Sequence, residues 1–406
     1  MSVNLNWKKN AVLFLISQNI SLFGSLLVQY AITWYITLES ESGIMVTLSI
    51  VSGFLPTLFL SPFAGVWADR YNRKLLIALS DSLIAISTLG LAILFMLGYN
   101  SIWLLFIVSA IRSLGSGIQT PAISAFLPEF IPEDKLIKVN GINSSIQSLE
   151  ALIAPILSGA LLTVASMESI FFIDVVTAAT AVSILLLFLR IPYHAKTEER
   201  KGVSYFQDMM KGIKYINQHS FIKTLFIFSA FFFISAAPLA FLTPLQVARS
   251  FGDDVWRLSM IEITFSIGMM LGGILVASWG GFKNKHYTMV VSCFFMSGCT
   301  IALGLIPDFW IYSFIMGVVG LVMPMFNTPF TVLLQQRVDA DYMGRVFGVL
   351  SMISSSMMPL AMLLFGPMSD YIRIEWLLVG TGILMLIITI IMTGNKNLIE
   401  AGKLVE

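Results

Sequence analysis

The chain has 406 residues, of which 57% are hydrophobic and 12% are charged, and its formal net charge is +1. A soluble protein of this length needs many more charged side chains to cover its surface, so the composition excludes an ordinary soluble globular protein. The near-neutral charge provides no broad positive surface and argues against nucleic acid as a partner. We therefore interpret the chain as a membrane protein.

Twelve apolar windows of roughly 20 residues follow one another along the chain, which is the length that an α-helix needs to cross the hydrocarbon core. None has the strict alternation of a membrane β-strand, so we predict an all-α membrane protein with twelve transmembrane helices. The windows are 11–36, 44–67, 75–97, 101–123, 139–165, 169–189, 221–247, 257–279, 287–306, 309–334, 343–368 and 374–393.

Lysine and arginine are distributed unevenly between the two sides of these windows. With both termini placed in the cytoplasm, 20 of the 24 lie on the cytoplasmic side, whereas Arg249, Arg257 and Arg373 lie on the outer side and Arg112 lies within a span. Because positively charged loops are retained in the cytoplasm, this distribution predicts that both termini are cytoplasmic.

The longest polar connection divides the chain into two sets of six spans. We predict an N-terminal six-helix bundle at 1–189, a cytoplasmic central loop at 190–220, and a C-terminal six-helix bundle with a short tail at 221–406. Part of the loop, YFQDMMKGIKYI, has helical spacing and is expected to lie along the membrane face.

The two halves also resemble each other. Residues 130–148 can be laid over 337–355, which places Gly141 on Gly348 and Ser144 on Ser351. This similarity indicates a duplicated unit. Two parallel six-helix repeats are an architecture of membrane transporters.

The segment GVWADRYNRKLL at 65–76, between the second and third spans, concentrates charge in a chain that has little. It resembles the loop signature of the major facilitator superfamily. The signature residues present are Gly65, Asp69, Arg70, Arg73 and Lys74. Asn72 stands where the family usually has glycine, and asparagine tolerates a left-handed turn better than other non-glycine residues.

Two further family patterns occur inside the spans. Arg112 in the fourth span is followed by Gly115 and Gly117, and the fifth span keeps Pro155 and Gly159 of the pattern that is typical of drug antiporters. We interpret these glycines and the proline, together with Asp81, as structural or gating positions.

Within the superfamily, the chain is most similar to drug exporters of the bacterial macrolide efflux group. The features that carry this similarity are Gln18, the run IRSLGSGIQTPA, Asp174 near the start of the sixth span, and DADYMGRVFG. The resemblance implies the twelve-helix major facilitator fold, a drug:H⁺ antiporter in the bacterial cell membrane and a functional monomer. It implies that the proton gradient is the energy source and that no cofactor is needed.

The resemblance also implies a conformational latch on the cytoplasmic side. Gly65 would let the second helix approach a neighbour, and Asp69 would lie at the N-terminus of the eleventh helix, near residue 343, where backbone N–H groups favour a carboxylate. Arg70, Arg73 and Lys74 either belong to this latch or serve only to fix the topology.

Five charged residues, Asp81, Arg112, Glu150, Asp174 and Glu262, fall well inside the ends of the predicted spans, and each needs a cavity, a partner or a proton. Arg112 and Glu150 both lie near mid-depth on consecutive helices, so we expect them to pair. Such a pair is either a proton-coupling element or an inert structural contact. Asp81, near the cytoplasmic end of the third span, is expected to pair with an arginine or lysine of the 65–76 loop.

A set of polar residues is assigned to the substrate cavity. Asp174 and Glu262 lie near the outer ends of their spans, where they either attract a cationic amphiphile or reach the outer surface. Gln18 and Gln29, eleven residues apart, fall close to one line along the first helix. They either face the cavity or hold helices together.

No Walker-type nucleotide loop, HExxH motif or G-x-S-x-G elbow occurs in the sequence, so we predict neither direct use of ATP nor an enzyme. The prediction is a proton-driven exporter of amphipathic, cationic drugs such as macrolides, whose partners are the substrate, protons and the lipid bilayer. Export of a siderophore-like metabolite and flipping of a lysophospholipid remain alternatives on the same fold. A transport-dead sensor or an intramembrane enzyme is a distant alternative.

Overall fold

A computed structural model of the protein describes residues 7–189, 205–339 and 342–403, without the side chains of 61, 62, 69, 133, 137 and 205–208. The regular structure of these residues is entirely helical. The α-helices are α1 (Trp7–Ser40), α2 (Gly43–Arg70), α3 (Arg73–Met96), α4 (Ile102–Phe126), α5 (Glu133–Val164), α6 (Met167–Ser183), α7 (Tyr205–Gln218), α8 (Ser220–Phe241), α9 (Thr243–Phe251), α10 (Val255–Trp279), α11 (Lys285–Leu303), α12 (Phe309–Arg337), α13 (Met343–Tyr371), α14 (Ile374–Thr393) and α15 (Lys396–Ala401).

The prediction of twelve membrane helices is confirmed, because twelve segments among the described residues are long and apolar enough to cross a membrane. Several helices continue past their apolar windows. For example, α1 extends to Ser40 and α12 to Arg337, because a helix need not end where the hydrocarbon ends. α6 continues into a π-helical turn at Ile184–Phe188. The side of the membrane on which the termini lie stays a prediction.

The chain forms two compact units, and the first comprises Met1–Glu39 and Leu48–Glu198. In this unit α3 packs against both α4 and α6. At one end the rings of Phe14, Phe126 and Phe130 pack together, with centroids 5.3–5.8 Å apart, in a core shared by the ends of α1 and α4. The three rings bury apolar surface at this end of the first unit.

The second unit comprises Ser40–Thr47 and Glu199–Glu406, so the first turn of α2 is grouped with it. α10 and α12 pack closely through glycines. A Cβ atom on Gly272 would lie 3.0 Å from the Cα of Leu321, and one on Gly320 would lie 3.1 Å from the backbone nitrogen of Met269. Small residues at such positions let two membrane helices approach backbone to backbone.

The helix that was predicted inside the 190–220 connection is present as α7 (Tyr205–Gln218). It packs against α13. The Tyr215 ring stacks on Tyr342 with centroids 4.4 Å apart, and the Tyr215 hydroxyl donates to Asp339 over 3.0 Å. These contacts attach α7 to the second unit, whereas residues 190–204 of the connection lie outside the described part of the chain.

Candidate functional site

A buried ion pair lies in the interior of the first unit. The Arg112 guanidinium on α4 contacts the Asp174 carboxylate on α6 through Nη1 and Oδ2. Arg112 is 5% exposed and Asp174 is fully buried. The sequence reasoning placed Asp174 near an outer vestibule, but in this structure its side chain does not reach the surface. It is instead the counter-ion of the arginine.

Hydroxyl and carbonyl groups from two other helices complete this site. Thr88 on α3 donates to Asp174 Oδ2 over 2.9 Å and accepts from Arg112 Nη1 over 2.6 Å. Ser25 on α1 donates to Asp174 Oδ1 over 2.9 Å, and its carbonyl accepts from Arg112 Nη2 over 3.0 Å. Four helices therefore contribute to one hydrogen-bonded cluster, which we call the Arg112 cluster (Ser25, Thr88, Arg112 and Asp174).

The expected contact between Arg112 and Glu150 is wrong, because Arg112 is paired with Asp174. Glu150 lies on α5 and is 8% exposed, and its Oε2 atom has no hydrogen-bond partner among the described residues. The reason for the error is geometric: α4 and α5 are consecutive in the chain, but the helices that meet at Arg112 are α1, α3, α4 and α6. The depth of Arg112 and Glu150 in their spans correctly indicated that both are buried, but it did not indicate which residue pairs with Arg112.

Asp81 is also placed differently from the expectation. It does not pair with the 65–76 loop but points into the first unit, where it is 1% exposed. Its Oδ1 accepts from the Ser21 hydroxyl over 2.6 Å and from the Gln119 side-chain amide over 2.8 Å. Arg73 and Lys74, at the start of the same helix, bind other groups.

The two glutamines of α1 have different surroundings. Gln18 is 7% exposed, and its Oε1 accepts from the Gln119 amide over 3.4 Å, which extends the polar network around Asp81. Gln29 is partly exposed and donates to Thr33 over 3.5 Å. A Cβ atom on Gly53 of α2 would lie 3.9 Å from the side-chain nitrogen of Gln29. Their assignment to a substrate cavity stays a prediction, and so does that of Glu262, which is partly buried on α10.

The basic residues of the 65–76 segment bind the ends of helices in their own unit. Arg73 donates to the carbonyls of Ala68 (2.7 Å) and Ala125 (2.8 Å) and forms an ion pair with Glu129 at 2.8 Å. Lys74 donates to the Leu189 carbonyl over 2.8 Å. Cations at the last carbonyls of a helix are favourable, so these contacts fasten the ends of α2, α4 and α6 to the start of α3.

The other residues of this segment make none of the contacts that were predicted for them in the described structure. Arg70 is exposed, and the Asp69 side chain, for which a contact with a helix N-terminus was predicted, lies outside the described residues. A Cβ atom on Gly65 would meet no described atom within 4 Å, so the close approach expected there is absent from this structure. Asn72 is not left-handed. It has φ −64° and caps α3 by accepting from the Leu75 N–H over 3.2 Å.

The glycines of α4 allow close helix packing. A Cβ atom on Gly115 would lie 2.6 Å from Ile84 of α3, and one on Gly117 would lie 3.3 Å from the Cα of Thr57 of α2. In α5, Pro155 and Gly159 are both buried within a helix that runs from Glu133 to Val164. These positions are consistent with packing, and a role in gating stays a prediction.

A carboxylate that the sequence reasoning did not single out caps the N-terminus of α2. Asp370, near the end of α13, accepts from the backbone N–H groups of Gly43 (2.6 Å) and Ile44 (3.0 Å) and from the Ser42 hydroxyl (2.9 Å). Backbone N–H groups and the helix dipole at this position favour a negative charge. This is the chemistry that was predicted for Asp69 and α13, found here at a different pair of helices.

Arg249 of α9 completes this Asp370 cap. Its Nη2 lies 2.9 Å from Asp370 Oδ1, its Nη1 donates to the Ser369 carbonyl over 2.6 Å, and its Nε donates to the Glu41 carbonyl over 3.0 Å. Glu41 has a φ of 44°, which is unusual for a residue other than glycine. All of these residues belong to the second unit. A sequence signal existed, because Arg249 is one of three basic residues on the predicted outer side.

We predict different stability costs for removing the two buried carboxylates of α5 and α6. Asp174→Asn leaves Arg112 as an unpaired buried charge and should destabilise the protein by about 3–5 kcal/mol. Glu150→Gln leaves no described charge without its partner, because Glu150 Oε2 has no hydrogen-bond partner among the described residues, and should cost less than about 1 kcal/mol. Thermal unfolding of the purified proteins in the same detergent measures the difference. Equal losses of stability in the two variants would contradict the assignment of Asp174 as the partner of Arg112.

A second prediction concerns the Asp370 cap. Asp370→Ala removes the acceptor at the start of α2 and should lower stability by about 0.5–2 kcal/mol. Arg249→Gln should cost less, and the double variant should cost less than the two single costs added, because the residues act together. Asp253→Ala, at an exposed carboxylate, is the matched control. Additive costs, or an equal effect in the control, would show that the cap does not work as a unit.

Comparison with known proteins identifies the family. The model of the Major Facilitator Superfamily matches residues 13–362. Macrolide efflux protein A of Streptococcus pyogenes is 29% identical over 389 residues, which cover 95% of this chain and 96% of that protein. Macrolide efflux protein A of Enterococcus faecalis is 30% identical over 324 residues, covering 79% of this chain and 99% of that protein.

The fold comparison agrees. The crystal structure of a bacterial homologue of the human lysosomal transporter Spinster matches with a TM-score of 0.71 and covers 99% of both chains, at 13% sequence identity. That identity supports the fold alone. Together with the twelve apolar helices found in the described part of the chain, these matches establish that the chain is a multi-pass membrane transporter that belongs to the Major Facilitator Superfamily.

Proposed function

We propose that this transporter is a proton-driven secondary exporter of amphipathic, cationic drugs such as macrolides. The observation that carries the proposal is the similarity to Macrolide efflux protein A, which extends over 95% of this chain and 96% of the Streptococcus pyogenes protein. A similarity of this extent includes most of both units. The proposed location is the bacterial cell membrane, where the exporter acts as a monomer.

The proposed orientation has both termini in the cytoplasm, which follows from the positive-inside rule. In this orientation the 65–76 segment faces the cytoplasm and the Asp370 cap faces outward. The division into an N-terminal bundle at 1–189, a central loop at 190–220 and a C-terminal bundle at 221–406 is proposed for the alternating-access cycle. Gln18, Gln29 and Glu262 are assigned to substrate binding, and so is Asp174 in conformations that expose it.

Proton coupling is assigned to Arg112 and Glu150. An ionised carboxylate in the bilayer interior costs at least about 2.5–3.5 kcal/mol, and Glu150 has no described partner at Oε2 that would offset this cost. A proton can neutralise it. Arg112 is already held by Asp174, so Glu150 would compete for the guanidinium only after a rearrangement of the helices. Such a change of partner is the two-state element that coupled exchange needs.

The substrate assignment is supported by charge as well as by similarity. Away from the ends of the spans, the carboxyl groups of Asp81, Glu150, Asp174 and Glu262 outnumber the single arginine, Arg112, so the interior favours a positively charged guest. Nothing in the sequence resembles a nucleotide loop, so the proposed energy source is the proton gradient. We expect Pro155, Gly159, Gly115 and Gly117 to adjust helix packing during the cycle.

The direct test is export of a radiolabelled macrolide from cells that express the protein. We expect lower accumulation than in cells that express Asp174→Asn. The difference should vanish with a protonophore and persist when ATP is depleted at a constant proton gradient. In proteoliposomes with an imposed pH gradient, Glu150→Gln should make uptake less dependent on pH than in the wild type. Unchanged accumulation of macrolides, with transport of a lysolipid or a siderophore instead, would overturn the substrate assignment.

The latch can be tested separately. Asp69→Asn should slow substrate turnover more than it weakens substrate binding, because the carboxylate stabilises one conformation rather than the bound molecule. Steady-state transport and equilibrium binding of the same macrolide measure the two quantities. Asp134→Asn, at an exposed carboxylate of α5 outside the 65–76 segment, is the matched control and should leave turnover closer to that of the wild type. Normal turnover in Asp69→Asn would refute the latch.

A further inference from the structure

Asp81 is a buried carboxyl group whose two oxygen atoms have different surroundings. Oδ1 accepts from Ser21 of α1 and Gln119 of α4, over 2.6 and 2.8 Å. Oδ2 is buried and has no hydrogen-bond partner among the described residues. A carboxylate accepts up to about four hydrogen bonds, so one half of this group is unsatisfied.

Among the residues that the structure describes, no cation forms an ion pair with Asp81. The ionisable side chains in the interiors of the surrounding spans are Arg112 on α4, Glu150 on α5 and Asp174 on α6, and α1 offers only neutral groups at this level. Arg112 is bound to Asp174. The first unit therefore holds three interior carboxyl groups and one guanidinium. A buried charge without a partner is costly, so Asp81 needs a positive ligand.

The geometry selects a proton rather than a metal ion. A hard metal ion is bound by about six or more oxygen ligands, but Ser21 and Gln119 donate hydrogen bonds to the Asp81 carboxyl instead of providing such a set. The side-chain nitrogen of Gln119 also donates to Gln18 Oε1 over 3.4 Å, and this second contact fixes the orientation of the Gln119 amide. That nitrogen cannot bind a cation. In addition, no cluster of three or more potential metal ligands is found in the described part of the chain.

We propose that Asp81 is a second proton-binding site of this transporter, distinct from Glu150 and formed with Ser21, Gln119 and Gln18. The inference rests on the proposed proton-driven function and extends it to a residue that the family signature does not include. When the proton leaves Oδ2, the carboxylate becomes a stronger acceptor for Ser21 and Gln119. Release of the proton therefore tightens the contacts of α1 and α4 with α3.

Gln119 gives this site a route to the surface. It is partly exposed, and Ser116 and Thr120 beside it in α4 are exposed. The path from Asp81 outward therefore crosses a single side chain. A change in the Gln119 contact can transmit the protonation state of Asp81 to the exposed side of α4.

The test is infrared difference spectroscopy of the full-length protein in lipid vesicles as the pH is changed. A protonated carboxyl group has a C=O stretching band that ionisation removes. When the pH is raised, we expect the wild type to lose more of this band than Asp81→Asn. Glu150→Gln should still lose the part of the band that comes from Asp81. Ser80→Ala, at the neighbouring buried hydroxyl, is the matched control and should retain the wild-type spectrum. Should Asp81→Asn fail to fold, Gln119→Leu should shift the Asp81 band to higher wavenumber, because Oδ1 loses a donor.

Transport adds a second readout. Asp81→Asn should lose proton-driven accumulation of substrate but retain exchange of labelled for unlabelled substrate, which needs no net proton movement. A pH-dependent carboxyl band that is identical in the wild type and Asp81→Asn would overturn the inference, and so would an unshifted band in Gln119→Leu. Neither result would affect the proposed export function. Wild-type export that ignores the proton gradient would overturn the function and leave the infrared result intact.

Discussion

The free-energy cost of a charge in hydrocarbon is the constraint that organises the first unit. An unpaired charge at the centre of a bilayer costs at least about 2.5–3.5 kcal/mol, and Arg112 meets this cost by binding Asp174, Thr88 and the Ser25 carbonyl. Because these groups come from α1, α3, α4 and α6, the ion pair fixes the relative positions of four helices. Asp81, which connects α1, α3 and α4, belongs to the same arrangement.

The same physical rule governs the helix ends, where backbone groups have no partners within the helix. Asn72 and Asp308 cap their own helices, whereas Asp370 reaches across to the start of α2. At C-terminal helix ends, Arg73 and Lys74 donate to the final carbonyls of neighbouring helices. Charged residues near the ends of the spans thus connect helices to one another. Their contribution is more than the topological signal that the positive-inside rule describes.

The sequence predicted the fold well because the signal, an apolar window as long as the bilayer is thick, is local. It also placed Arg112, Glu150, Asp174 and Asp81 within the spans. It could not predict which of them meet, because partners depend on how the helices are packed and not on their order. Arg112 binds Asp174 of α6, two helices further along the chain, rather than Glu150 of α5. The Asp370 cap was missed for the same reason, since its parts are separated by about 330 residues of chain.

A buried ion pair is weak as a source of stability, and replacing one by apolar residues of similar volume is often neutral or stabilising. In the proposed export mechanism the Arg112–Asp174 pair positions four helices for transport, and its net contribution to stability is small. The most direct measurement is macrolide transport by the double variant Arg112→Met with Asp174→Leu, compared with its thermal unfolding. The account predicts a folded protein of near wild-type stability that does not transport. A double variant that transports at the wild-type rate would contradict it.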